Sequence, residues 1–182
     1  MPSPRRLRIF QAVAVGAAIA AYLTVVVGGD VRSSGAGMAC GDAWPFCSSG
    51  IIPDFSLPGV AVEFAHRVAA FLTSILILVT LILAYLWYRR DPKTIVLASA
   101  SMGLLVSQVR LGMATVAQNL DPTLVTAHLA VGTATFATAL SLAVVTLVAA
   151  PERPSLDREV HEEKEQKAEP GGRYPSAADG RH

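Results

Sequence analysis

The sequence predicts an all-α integral membrane protein: a four-transmembrane-helix bundle with both termini cytoplasmic and one long outer loop. Three observations carry this expectation. Four apolar runs, Leu7–Gly28, Val60–Tyr88, Thr94–Val116 and Thr123–Ala150, each exceed the roughly 20 residues that a helix needs to cross a bilayer. Charged residues make up 16% of the chain and apolar residues 52%, whereas a soluble domain carries roughly a quarter charged residues. The basic residues are also segregated, with Arg5, Arg6 and Arg8 ahead of the first run and Arg89, Arg90 and Lys93 between the second and third.

Each run reads as a helix, because hydrocarbon offers no partner for a free backbone N–H or C=O. The first resembles a secretory signal at a glance. Its apolar core is longer than the roughly 7–15 residues of a signal core and no convincing cleavage site follows, so it reads as a retained span. The segment Gly29–Gly59 carries Arg32 as its only basic residue, and Ala117–Pro122 carries none. Basic residues stay on the cytoplasmic side, which puts both termini inside and the long loop outside. Residues 1–150 thus form the transmembrane domain. Residues 151–182, dense in Glu, Lys, Arg and Pro, hold too little apolar surface for a core and read as a disordered cytoplasmic tail. A net charge of +1 with no basic face gives no reason to expect a nucleic-acid partner. No extramembrane segment is large enough to be an enzyme alone, so any chemistry belongs to the bundle and its outer loop.

Helices 2 and 4 both begin at the outer face and run parallel. His66 and His128 each lie six residues past the start of their helix, roughly 9 Å below the outer boundary at 1.5 Å per residue. Gln108 and Arg110 near the end of helix 3 fall at a similar or slightly greater depth. Glu63, three residues before His66, shares its face. Ionisable groups in a span are rare and usually functional, and leucine would serve if this layer only packed. An iron porphyrin explains the layer: iron takes axial ligands from opposite faces and neutral imidazole suits it. Its anionic propionates would point outward, towards Arg67, Arg110 or Arg32. The plainer reading gives each histidine a hydrogen bond to a neighbouring helix. Met102 and Met113 are other conceivable axial ligands, but methionine mostly fills gaps. Glu63 and Arg67, spaced i, i+4, could form a helix-surface ion pair, and Glu63 reads equally as a catalytic group. Arg110 is expected to meet a propionate or Glu63.

The outer loop contains Cys40-Gly41-Asp42-Ala43-Trp44-Pro45-Phe46-Cys47. Outside the cytoplasm such a pair is normally a disulfide, and two ligands are too few for a zinc site. A structural staple and a reducible, electron-exchanging bond both remain open. Gly16, Ala20, Gly103, Gly112, Gly132 and Ala134 permit close helix contact, and Gly112 could make room for a ring.

Taken in order, these segments resemble the haem A synthase family. Gly28-Gly29-Asp30-Val31-Arg32 through Met38, then Cys40, Trp44-Pro45 and Cys47, is similar to that family's first outer loop. Glu63-Phe64-Ala65-His66-Arg67 resembles the motif opening its helix 2. Gln108, Leu111-Gly112 and Thr115-Val116 resemble the end of helix 3, and Val125-Thr126-Ala127-His128-Leu129 the motif of helix 4. The resemblance implies a cell-membrane oxidoreductase that converts haem O to haem A by oxidising the C8 methyl to a formyl group. It implies His66 and His128 as axial ligands of the haem iron, Glu63 as the group assisting catalysis, and Cys40 and Cys47 as a redox-capable pair. Haem O would be the substrate, haem b a prosthetic group, and haem O synthase a partner. Family members commonly have eight helices in two similar halves, each with a histidine pair. This sequence matches one half, so a homo-oligomer, most simply a dimer, is expected, with haem b at an equivalent site in a second copy. Arg110 stands where many relatives are expected to carry an apolar residue. The alternatives are a bis-histidine b-type electron-transfer cytochrome, a non-catalytic haem carrier and a plain four-helix scaffold.

Overall fold

The computed structural model describes residues 3–44 and 46–148. The tail expected at 151–182 lies outside the described residues. Four helices follow one another: α1 (Pro4–Ser33), α2 (Val60–Trp87), α3 (Pro92–Ala117) and α4 (Pro122–Val148). All four are long and apolar enough to cross a membrane, and the chain is a multi-pass membrane protein of the all-α class. Among the described residues there is no strand, only an isolated bridge between Cys47 and Gly50.

The helix limits follow local chemistry. Pro4, Pro92 and Pro122 open α1, α3 and α4, where the missing N–H costs nothing. Asp91 accepts from the Lys93 amide at 3.2 Å and from Thr94 Oγ1 at 2.6 Å. Asp121 does the same for the amides of Thr123 and Leu124, the usual N-cap device. The first helix runs past the apolar limit at Gly28 and takes in Asp30–Ser33. Gly28 and Gly29 do not break it, because every amide behind them still finds its carbonyl. It stops at Gly35, whose φ of 72° permits the left-handed turn that lets Ala36 N–H reach the Val31 carbonyl at 3.0 Å. The loop proper is therefore 34–59, shorter than the sequence suggested.

The helices form a ring in chain order. α1 packs on α2 and α4, α3 packs on α4 and α2, and the α2–α3 seam is the thinnest. Chain direction alternates, so α2 and α4 lie on a diagonal and point the same way. The interior is built from small side chains, as expected where van der Waals packing drives association. Ala14 and Ala18 of α1 meet Ala139 and Ala143 of α4. Ala17, Ile77 and Leu105 fill the middle, with Met102 against them. Phe10, Ala84, Ala98 and Leu142 close the end that carries the chain terminus. Many of the large apolar residues face outward: Ile19, Leu23, Phe71, Leu72, Val96 and Leu129 are all exposed, which suits lipid. Threonine hydroxyls inside the bundle are satisfied, as when Thr80 and Thr135 donate to the carbonyls of Leu76 and Val131. Thr24 and Thr73 join α1 to α2 at 2.9 Å.

Candidate functional site

Both histidines lie near the loop end, at equal depth on the diagonal helices α2 and α4. Each leans across a seam onto a glycine of its neighbour. A Cβ on Gly28 of α1 would stand 2.9 Å from His66 Cε1, and one on Gly112 of α3 would stand 3.2 Å from His128 Cε1. A side chain at Gly28 would force the ring to shift, and one at Gly112 would press on it. Nδ1 of His66 and Nδ1 of His128 are both buried without a hydrogen-bond partner, a state that costs free energy unless something else takes the lone pair or proton. His128 Nε2 lies 3.3 Å from the Gln108 side-chain nitrogen.

Glu63 sits one turn nearer the loop and is buried. Its Oε1 pairs with Arg67 Nη2 at 2.5 Å, and its Oε2 accepts the Cys40 amide at 2.7 Å. Arg67 also donates to the carbonyls of Ala43 at 2.9 Å and Phe46 at 2.7 Å. Both carbonyls belong to the ring closed by the Cys40–Cys47 disulfide. The ion pair at the mouth of α2 thus fastens the loop to the helix. Phe55 adds an edge contact to Phe64 at 5.8 Å between ring centres.

Several sequence-expected residues end up elsewhere. Arg110 is at the expected level but exposed on α3, and the oxygens of Glu63 are taken by Arg67 and the Cys40 amide. The reason is helical phase. Gln108 and Gly112 turn towards α4, and two residues beyond Gln108 is a rotation of roughly 200°, which carries Arg110 to the outside. Arg32, at the end of α1, is exposed as well. Met113 is exposed, and Met102 packs against the central core, the role of a gap-filler. Sequence reasoning took Gly28 as part of a loop motif and Gly132 as packing. It did not anticipate that Arg67 would bind loop carbonyls, since no residue pattern encodes a backbone acceptor.

The family model for cytochrome oxidase assembly proteins (COX15-CtaA) matches residues 54–168, which is more than half of the chain and includes Glu63, His66, Arg67, Gln108 and His128. The chain belongs to the COX15-CtaA family. Among the relatives of this COX15-CtaA member is a protein of Geobacillus kaustophilus named heme A synthase. It is 32% identical over 126 residues, which cover 69% of this chain and 40% of that one. Proteins of the same name from Bacillus mycoides and Bacillus cereus are 30% identical over 121 residues, covering 66% of this chain and 39% of theirs. The COX15-CtaA chain described here therefore spans about 40% of the length of the curated relatives it matches.

Proposed function

We propose that this chain is a haem A synthase-like membrane oxidoreductase that converts haem O to haem A by oxidising the C8 methyl to a formyl group. The observation that carries the reading is the pair of imidazoles on parallel, diagonal helices at one depth, each with a buried ring nitrogen that has no protein partner. Family membership supplies the chemistry, and the glycine seats at Gly28 and Gly112 supply the reason for reading the rings as ligands. Neutral imidazole is a haem-iron donor, and a flat apolar macrocycle suits the small side chains around it. His66 and His128 would hold the iron, which supplies the redox chemistry when the haem is in place.

The remaining residues have separable tasks. Glu63 presents a buried carboxylate next to the histidine layer, where low dielectric makes its charge strongly felt. There it stabilises positive charge developing on the substrate or takes up a proton. Arg67 holds Glu63 in place and ties down the disulfide loop. Cys40 and Cys47 form a pair capable of exchanging electrons with a thiol donor.

Among the described residues, His66 and His128 make one pair. The proposal includes a homo-oligomer, most simply a dimer, with a prosthetic haem b at the equivalent site of a second copy. It also includes haem O synthase as the supplier of substrate, and an orientation in which the Arg5, Arg6 and Arg8 end faces the cytoplasm and the disulfide loop faces outward. One observation favours a second reading. Both oxygens of Glu63 are already engaged, as they would be in a b-type electron-transfer cytochrome or haem carrier where Glu63 is structural. Expression in a host that makes haem O, followed by mass analysis of extracted pigments, separates the two. Haem A or its alcohol intermediate supports the synthase, haem b alone supports the cytochrome or carrier, and a colourless protein overturns both.

A further inference from the structure

Four large apolar side chains are left in the open just before α2. Ile51 is 72% exposed, Ile52 81%, Phe55 55% and Leu57 52%, and all four lie outside the spans. Apolar groups exposed together mark an interaction surface. The turn that carries them has local hydrogen bonds. The Asp54 amide donates to Ser49 Oγ at 3.3 Å, and Asp54 Oδ1 accepts from the Ser56 amide at 3.0 Å and the Ser56 hydroxyl at 2.7 Å. These bonds lower the cost of taking the turn out of water. Position decides what covers it. α2 has 28 residues, roughly 42 Å of helix at 1.5 Å per residue, against a hydrocarbon core of about 30 Å. The excess places its ends in the headgroup layers, and Leu57, whose carbonyl accepts the Val60 amide at 3.4 Å, stands one turn beyond its first residue. Phe55 meets Phe64 edge-on, with 5.8 Å between ring centres. Phe64 heads a stripe of α2 that continues at helical spacing through Val68, Phe71, Ile75 and Leu78, all four of them exposed. The apolar surface of the loop is thus continuous with the lipid-facing surface of α2. Between Arg32 and Arg67 the sequence has no Lys or Arg, so this segment offers nothing to an anionic headgroup.

We propose that residues 51–57 are an interfacial membrane anchor. Ile51, Ile52, Phe55 and Leu57 insert beside α2 into the leaflet on the loop side, among the glycerol groups and the upper acyl carbons. The partner is the bilayer itself, recognised by apolar burial and not by headgroup charge. Asp54 is exposed within the turn and limits the depth, because a carboxylate stays with water. The insertion is therefore shallow, as for other segments that lie in the interface. The outer loop then has two separate supports. Arg67 fastens the disulfide ring to α2, and the bilayer holds the stretch between that ring and the helix. The inference goes beyond the haem reading and does not depend on it.

The experiment uses the full-length chain with Trp44→Phe and Trp87→Phe, which removes both native tryptophans, and with Ile52→Trp as the reporter. A site this exposed accepts the ring without repacking the core. The protein is placed one copy per disc in phosphatidylcholine nanodiscs brominated either near the top or near the end of the acyl chains, and again in discs with phosphatidylglycerol added. The reporter emission is expected to be blue-shifted, quenched more by shallow than by deep bromine, and shielded from aqueous iodide, equally with and without phosphatidylglycerol. Adding Phe55→Ser and Leu57→Ser should shift the emission to the red and exchange bromine quenching for iodide quenching, with helix content unchanged. Iodide quenching without bromine quenching in the reporter protein overturns the anchor, and its disappearance in two-copy discs would name a second copy as the cover instead. Shielding from both quenchers in single-copy discs overturns it too, since the segment would then be packed on its own chain. So does quenching that requires phosphatidylglycerol, or bromine quenching that survives the double serine substitution, because other forces would then hold the segment.

Discussion

The backbone amide of Cys40 donates to Glu63 Oε2 at 2.7 Å, joining the disulfide loop to the buried carboxylate that begins α2. The same carboxylate pairs through its other oxygen with Arg67, which reaches back to the carbonyls of Ala43 and Phe46. Loop, ion pair and histidine layer are therefore one connected assembly, and perturbation at any part of it has a definite outcome.

Glu63→Gln keeps an oxygen for the Cys40 amide and removes the charge. Haem content should stay near wild type while conversion of haem O falls about 10²–10⁴-fold, the usual size of a lost acid–base or charge-stabilising group. Normal haem A yield from this variant, measured by mass analysis of extracted pigments, would show that Glu63 is purely structural.

Glu63 is buried and Arg67 partly buried, with side-chain exposures of 5% and 13%. Removing Arg67 strands the buried carboxylate at a cost of roughly 3–5 kcal/mol, so Arg67→Met should lower thermal stability sharply. Glu63→Gln combined with Arg67→Met should cost clearly less than the sum of the single variants, because the residues touch. Additive losses in a double-mutant cycle would mean that the pair contributes nothing as a pair.

Glycine substitutions should follow the room available. A Cβ at Gly28 meets His66 at 2.9 Å, one at Gly112 meets His128 at 3.2 Å, and one at Gly16 meets nothing within 4 Å. Gly28→Ala should therefore disturb haem uptake most and Gly112→Ala less. Gly16→Ala should be neutral or stabilising by about 0.5–1 kcal/mol from helix propensity. Haemin titration and melting curves on the three variants test the order, and equal behaviour at all three sites would refute the idea that these glycines seat the rings.

The Cys40–Cys47 bond closes a short ring, with a sequence separation of seven. The entropy of closing so small a loop corresponds to about 2–3 kcal/mol. Reduction, or replacement of both cysteines by serine, should lower stability by that amount and loosen the loop from Arg67. Proteolysis across residues 41–46 should become faster while the bundle stays intact. Unchanged protection after reduction would show that Arg67 alone holds the loop.

The amino-acid sequence by itself determined the class, the number of spans and the depth of His66 and His128. Length and hydropathy of a run decide whether a helix crosses hydrocarbon, and a constant rise per residue converts position into depth. The link between Glu63 and Arg67 was also readable, since i, i+4 neighbours are fixed by the helix itself. Helix phase and cross-seam contacts were decided only by tertiary packing. It turned Arg110 outward and Gln108 inward, laid His66 on Gly28 and His128 on Gly112, and led Arg67 to the Ala43 and Phe46 carbonyls. Each of these depends on which faces of separate helices meet, and in a chain apolar on nearly every side the residue pattern marks no inner face. Packing of small residues selects that face, and it is a property of the assembled bundle.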